Sequence, residues 1–92
     1  MVKEKYKEIP DLDQTTSKVD EHQLLLINDD VHTFDYVIDA LIDICNHTPQ
    51  QAAQCTMIVH YKGSCDVKKG TFEELRPLRK ALIEKELKAT IS

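Results

Sequence analysis

The apolar and polar positions along the chain separate a polar start from a patterned remainder. Residues 1–20, MVKEKYKEIPDLDQTTSKVD, are mostly polar and charged, and their few apolar residues follow no sustained period. A segment of this composition buries too little apolar surface to offset the entropy cost of ordering it. We therefore predict a flexible N-terminal arm over residues 1–20 and one folded domain over residues 21–92.

A change in the spacing of apolar residues along the chain predicts the first strand and the first helix. The apolar run LLLI lies in a predicted strand over residues 22–28, and a loop over residues 29–33 follows it. Beyond the loop, apolar residues recur at every third or fourth position, as they do on one face of an α-helix. These residues are Phe34, Val37, Ile38, Leu41, Ile42 and Cys45. Thr33 is the predicted N-cap of this helix, and Asn46 and His47 close it.

A second helix is predicted from its end signals. Thr48 is placed to cap it, and Pro49 occupies its first turn, where the missing N–H costs nothing. The helix is expected to extend to about His60 or Tyr61, with Gly63 as its C-terminal stop. Its inward side is expected to carry Ala52, Cys55 and Val59.

The remaining elements are a strand, a helix and a final strand. Apolar and charged residues alternate over residues 64–69, which predicts the strand. Thr71 and Glu74 then form a T-x-x-E capping box. The residues expected to face inward from this third helix are Leu75, Leu78, Leu82 and Ile83. Pro77 removes a helical hydrogen bond, so either the regular helix begins near Pro77 or its first turn is distorted. Residues 88–91, KATI, are the predicted last strand.

The element order β-α-α-β-α-β predicts an α+β fold. We expect a two-layer open-faced sandwich in which three helices cover a three-stranded antiparallel sheet. Periodicity alone does not decide which strands are neighbours. The connection between the first two helices, residues 46–48, is short, so these helices should be antiparallel neighbours.

Composition and charge exclude several classes of protein. The chain has 92 residues, which predicts one domain, and a net charge of −4. Its twelve basic residues are spread from Lys3 to Lys88 and form no patch, so no nucleic-acid partner is expected. The longest apolar run is far too short to span a membrane, and the start lacks the apolar segment of a signal peptide. We expect a protein of the cytoplasm with no membrane partner.

The cysteines do not predict a metal site or a disulfide framework. Cys45, Cys55 and Cys65 are an odd number at ten-residue intervals, and no CxxC pair occurs. His60 lies between two of them, but the spacing fits no common zinc pattern. We expect the cysteines to pack as small hydrophobes and expect no cofactor. A small metal-binding or redox protein that uses these cysteines stays as a distant alternative.

No enzyme is predicted. The sequence has no G-x-S-x-G motif, and no nucleophile, base and orienting group occur in a recognisable setting.

Two polar features have both a structural and a functional interpretation. Asn28, Asp29 and Asp30 follow an apolar strand directly. Local physics favours a turn in which their side chains bind nearby backbone N–H groups. Carboxylate and amide oxygens could also bind a cation such as an ammonium group. His60, late on the second helix, is more often a partly buried histidine or a helix C-terminal residue that interacts with the dipole than a functional group.

Three motifs together resemble the ClpS family. They are N-D-D after an apolar strand, T-F-D-Y-V-I at the next helix, and A-x-Q-x-x-x-I-V-H-Y-K-G at the second helix. The resemblance covers residues 22–91. ClpS proteins are adaptors that deliver N-degron substrates to a Clp-family AAA+ unfoldase and its peptidase. The resemblance therefore implies an adaptor core domain over residues 21–92, with the N-terminal domain of such an unfoldase and N-degron proteins as partners. It also implies that the arm engages the unfoldase.

The resemblance implies a pocket for the first residue of a substrate, which would be Phe, Leu, Tyr or Trp. Asn28, Asp29 and His60 match the positions that receive the α-amino group, and Asp30 matches a flanking position. The pocket wall corresponds to Phe34, Val37, Thr56, Val59 and Leu87.

This sequence departs from the family pattern at three places. Phe34 and Thr56 each stand where Met is common, which implies a bulkier gate and a smaller, more polar wall. His32 and Thr33 replace a common Thr-Pro, and His32 is included among the predicted substrate-binding residues. The alternative function is an unfoldase-binding regulatory module without a peptide pocket.

Overall fold

In the computed structural model, which describes residues 20–92, the predicted order of elements is present. The arm predicted over residues 1–20 lies outside the described residues except for Asp20. The elements are β1 (His22–Ile27), α1 (Phe34–Cys45), α2 (Pro49–Lys62), β2 (Ser64–Gly70), α3 (Phe72–Glu84) and β3 (Lys88–Ile91). The predicted α+β fold, with three helices and a three-stranded antiparallel sheet, is confirmed.

The first strand lies in the middle of the sheet, in the order β2-β1-β3, and pairs antiparallel with both neighbours. Ile27, at its end, is opposite Ser64 on one side and Lys88 on the other. The pairing with β2 shifts register between Leu24 and Leu25, which leaves Val67 without a partner on β1. The end of β1 is therefore fixed beside the end of α2 and beside the start of β3.

Each helix begins at a threonine whose hydroxyl accepts a backbone N–H. Thr33 Oγ1 accepts from Tyr36, 3.1 Å away, and Thr48 and Thr71 each form a complete capping box. These side chains satisfy donors that a helix start otherwise leaves unpaired. At the other end of α2, Gly63 has φ 94° and its N–H donates to the Val59 carbonyl. The predicted N-caps and the predicted glycine stop are confirmed.

The third helix begins at Phe72 and includes Pro77. The prediction that regular helix could start near Pro77 is therefore wrong. The capping box satisfies the first turn, and Leu75 N–H already donates to the Thr71 carbonyl at 3.0 Å. Pro77 leaves the carbonyl of Glu73 without its helical donor. Because Glu73 is exposed, water can take that place.

A core of twelve buried apolar side chains lies between the helices and one face of the sheet. They are Leu24, Leu26, Ala40, Leu41, Cys45, Ala52, Val59, Val67, Leu75, Leu82, Leu87 and Ala89. Leu82 is 0% exposed, but its neighbour Ile83 is 42% exposed, so the prediction that Ile83 faces inward is wrong. Ile83 lies about 100° further round the helix than Leu82. The buried stripe of α3 is narrower than the apolar pattern indicated.

The three cysteines contribute to this core. Cys45 is buried, and Cys55 and Cys65 are half-buried against it as free thiols. Burial is the main cause that raises the pKa of Cys45 to about 11. Burial, together with hydrogen bonding to Cys55, raises the pKa of Cys65 to about 12. At neutral pH these two thiols are therefore protonated and behave as small hydrophobes.

Within residues 20–92, three or more histidine, cysteine, aspartate or glutamate side chains do not come together as a metal-binding group. The helices of the same range are all too short or too polar to cross a membrane.

Leu82→Ala and Ile83→Ala form a matched pair that tests the packing of α3. Leu82→Ala should lower the free energy of unfolding by about 2–5 kcal/mol, because it opens a cavity in the core. Ile83→Ala should lower it by about 1 kcal/mol or less, because the side chain is half in water. Urea unfolding of both variants measures the difference. Equal losses would contradict the described orientation of the helix.

Candidate functional site

Three segments of the chain meet where β1 ends. The backbone N–H of Asn28 donates to the Gly63 carbonyl at 3.0 Å, which holds the start of the loop against the end of α2. His60 lies in the last turn of that helix. On the other side of β1, Ile27 is paired with Lys88, and Leu87 immediately precedes it. The sheet register therefore brings a polar loop, a helix end and a turn to one place.

A cavity of about 170 Å³ lies between these segments. All ten residues that the sequence predicted for the site line it: Asn28, Asp29, Asp30, His32, Phe34, Val37, Thr56, Val59, His60 and Leu87. Leu26, Ile27 and Thr33 also line it and were not predicted. Leu26 and Ile27 are the last strand residues before N-D-D. Their position next to the loop was the sequence signal that could have placed them at the cavity.

The side chains of Asn28 and Asp30 hold the loop in a tight turn. The Asn28 carbonyl oxygen accepts from the backbone N–H of Asp30 at 3.2 Å, and the Asn28 amide donates to the Asp30 carboxylate at 3.1 Å. Asp30 has φ 59°, a left-handed conformation that aspartate tolerates better than most residues. The turn interpretation is thus part of the observed geometry. It also fixes the direction of the Asn28 amide.

The Asp29 carboxylate is held by two donors. One oxygen accepts from the Val31 N–H at 3.1 Å, and the other lies 3.1 Å from His32 Nδ1. Burial by itself raises the pKa of the carboxyl. The hydrogen bonds from Val31 and His32 and the proximity of His32 outweigh burial, so the pKa lies below its ordinary value of 3.8. Asp29 is therefore ionised at neutral pH.

Unused acceptor capacity remains at the mouth of the cavity. An ionised carboxylate offers about four acceptor positions, and the described contacts of Asp29 fill two of them. The Asn28 carbonyl oxygen has two lone pairs and one described donor. The loop can therefore accept hydrogen bonds from a further donor, and its negative charge favours a cationic one.

The rest of the cavity is mainly apolar. Val59 and Leu87 are buried, and Phe34, 41% exposed, stands at the opening. The Phe34 ring meets His60 edge to face, with centroids 5.3 Å apart. Such contacts between aromatic rings are favourable and fix the relative orientation of the two side chains.

Thr56 makes the wall less polar than the sequence implied. It is buried, and its hydroxyl donates to the Ala52 carbonyl within α2 at 2.7 Å. Its one hydrogen-bond donor is therefore already used.

The volume of the cavity fits one apolar group. An apolar protein cavity of about 150 Å³ holds a benzene molecule. A cavity of about 170 Å³ is of that order. It can take a phenyl ring or a branched aliphatic chain, with a donor group placed at the polar loop.

One protein-family model matches most of this chain. It is described as ATP-dependent Clp protease adaptor protein ClpS, and it matches residues 17–90. The ATP-dependent Clp protease adapter proteins ClpS of Campylobacter jejuni strains 81-176 and RM1221 are each 37% identical to this chain over 54 residues. That match covers 58% of this chain and 56% of each relative, so it spans little more than half of their length.

A solved structure has the same fold. It is that of Agrobacterium tumefaciens ClpS2 bound to L-phenylalaninamide, and it superposes with a TM-score of 0.73 at 20% sequence identity. The superposition covers 79% of this chain and 95% of that one.

Asp29→Asn tests the electrostatics of the loop. Because the folded-state pKa of Asp29 is lowered, the ionised carboxylate stabilises the fold at any pH above the unfolded value, and this contribution is lost as pH falls through the folded pKa. The wild type should therefore resist urea better than Asp29→Asn at pH 7, and the gap should narrow below about pH 4. Urea midpoints at pH 7 and pH 3 measure this. A gap of the same size at both would show that the Asp29 charge does not stabilise the loop.

Proposed function

Because this chain belongs to the ClpS family, we propose that it is an adaptor for protein degradation. It binds proteins that carry a bulky hydrophobic N-terminal residue, Phe, Leu, Tyr or Trp, through their free α-amino group. It then delivers them to a Clp-family AAA+ unfoldase and its peptidase in the cytoplasm, without catalysing a reaction itself. One observation carries the proposal: an acceptor-rich, negatively charged loop adjoins an apolar cavity of the size of one side chain.

The two halves of the cavity match the two parts of such an N-terminus. An α-ammonium group has three N–H donors and a positive charge, and no acceptor. In the proposed complex, Asp29 supplies the opposite charge, Asn28 a carbonyl oxygen, and neutral His60 an acceptor nitrogen. Next to the ammonium group, the first side chain of the substrate enters the space between Phe34 and Leu87. A blocked N-terminus would lose the charge and all but one of the N–H donors.

The magnitudes explain why both parts are needed. Burying a Leu or Phe side chain contributes about 1.5–3 kcal/mol. Each hydrogen bond to a charged group contributes about 1.5–3 kcal/mol. Lost translational and rotational freedom costs at least about 4 kcal/mol. A single contribution leaves little net affinity, whereas the side chain and several ammonium hydrogen bonds together reach the micromolar range, about −8 kcal/mol.

A structural relative supports the choice of ligand. L-Phenylalaninamide, bound in the ClpS2 structure, carries a free α-amino group and a phenyl side chain. Both groups have a chemical counterpart in the cavity of this chain. The proposal applies that ligand class to this protein on the basis of family membership and of the cavity itself.

A peptide titration tests the proposal. A fluorescent peptide that begins with Phe should bind with a dissociation constant in the micromolar range, about −8 kcal/mol. The same peptide with an acetylated N-terminus should bind at least tenfold more weakly, a loss of about 1.4 kcal/mol or more. Fluorescence anisotropy measures both. No binding of either peptide would favour the alternative of an unfoldase-binding module without a peptide pocket, and equal binding of both would contradict recognition of the free α-amino group.

Alanine variants test which residues receive the α-amino group. Asn28→Ala and His60→Ala should each weaken binding of the Phe-initiated peptide by tenfold or more, since each removes an acceptor to a charged donor, worth about 1.5–3 kcal/mol. They should also slow degradation of a reporter with N-terminal Phe by a purified Clp unfoldase and peptidase. Met57→Ala is the matched control, because Met57 lies on the exposed side of α2 outside the cavity. Full activity of both alanine variants would remove these residues from the site.

A further inference from the structure

The side chain of His32 connects the charged loop to the rest of the cavity wall. Its Nδ1 lies 3.1 Å from Asp29 Oδ2, and the two side chains are only 13% and 12% exposed. Its ring lies flat against that of Tyr36, with centroids 4.6 Å apart and planes inclined by 16°. The Tyr36 hydroxyl in turn donates to the Lys85 carbonyl at 2.8 Å.

We infer that His32 is a positioning residue, which holds the Asp29 carboxylate in one orientation for the incoming α-ammonium group. The inference rests on the proposed function, in which Asp29 supplies the charge. It adds a residue that does not itself touch the substrate's amino group. It also assigns Tyr36 as the support that keeps the His32 ring in place.

The chemistry of the contact decides which way the hydrogen bond runs. An ionised carboxylate can only accept, so Nδ1 of His32 must carry the proton. In neutral His32 the other ring nitrogen, Nε2, then has none. The hydrogen bond from Nδ1 to Oδ2 restricts the rotation of the carboxylate. The remaining acceptor positions of Asp29 are thereby held in one orientation.

The stacked ring explains why a loop residue can hold another residue firmly. His32 precedes the N-cap of α1 and Tyr36 lies in the first turn of that helix, so the stack fastens the loop to a regular element. A side chain that is already fixed loses less entropy when a ligand binds, which raises affinity. Without the stack, the imidazole could turn away and release Asp29.

Tyr36 also reaches the opposite wall of the cavity. Lys85 is the C-cap of α3, and Glu86 follows with φ 66° before Leu87, which lines the cavity. The hydrogen bond from Tyr36 therefore holds the turn that presents Leu87. One series of contacts joins the charged end of the cavity to its apolar end.

A competing interpretation predicts the opposite effect of removing His32 on peptide affinity. If His32 occupied Asp29 at the expense of a ligand, its removal would strengthen peptide binding. The positioning role requires that removal of the donor weakens binding and that another donor restores it.

The first experiment needs no ligand. The ¹⁵N chemical shifts of the His32 ring, measured by NMR on the neutral side chain of the full chain, report which nitrogen carries the proton. We expect the proton on Nδ1, and we expect Asp29→Asn to change this signal. A proton on Nε2 in the wild type would overturn the inference, because His32 could not then donate to Asp29.

The second experiment separates the donor from the ring. His32→Phe keeps an aromatic ring on Tyr36 but has no donor, whereas His32→Asn has a donor and no titratable group. His32→Phe should weaken binding of the Phe-initiated peptide about tenfold, which corresponds to about 1.4 kcal/mol. His32→Asn should recover part of that loss, because it restores a donor but not the ring contact with Tyr36. His22→Phe, the same change at a histidine outside the cavity, should leave the affinity unchanged.

The outcomes distinguish this inference from the proposed function. If the wild type prefers the free amine and His32→Phe binds as well as or better than the wild type, the positioning role is wrong and the proposed function stands. Equal losses in His32→Phe and His32→Asn would also overturn the role of the donor. If the wild type does not distinguish the free from the acetylated peptide, the proposed function fails, and the inference fails with it.

Discussion

The pairing of β1 with strands on both sides is the constraint on which the rest of the structure depends. Leu24 and Leu26 are buried almost completely, and Leu25 between them points to the other face. A slip of one residue in the register would exchange the two faces and expose the leucines to water. Burial therefore fixes the register. The register in turn decides that Asn28 lies opposite Gly63 and that Leu87 arrives on the other side.

The polar loop is tightly constrained because both of its ends are fixed. The hydrogen bond from the Asn28 N–H to the Gly63 carbonyl holds the first end, and the Thr33 cap holds the second. To connect them, the backbone turns sharply, with Asp30 in a left-handed conformation, and the polar side chains satisfy the N–H groups that the turn exposes. The same contacts leave acceptor positions unfilled on Asp29 and Asn28, and both residues line the cavity. The turn interpretation of N-D-D is therefore observed, and it is compatible with the proposed binding of an ammonium group.

The sequence predicted the elements well because their signals are local. Helix period, threonine caps and the glycine stop depend on a few neighbouring residues, and these predictions were confirmed. The order of the strands depends on contacts far apart in the chain, which periodicity does not encode. The exposed position of Ile83 has a similar cause, since the width of a buried stripe depends on what covers it. At the cavity, the local sequence predicted only a turn at N-D-D and a histidine, His60, whose role it did not decide. Their grouping with the wall residues came from the family resemblance, and the contact between His32 and Asp29 depends on loop dihedrals that the sequence does not reveal.

The outer strands of the sheet are unsuited to pairing with another chain. A strand edge with free backbone groups is a template for extended polypeptide, and charged side chains, bulges and short length are ways in which proteins prevent this. In the described part of the chain, β2 carries Lys68, Lys69 and a bulge at Val67, while β3 is only four residues long. Extended segments of unfolding proteins are therefore poorly held along these edges. In the proposed function, a client protein is bound through its first residue, and the rest of its chain stays accessible to the unfoldase.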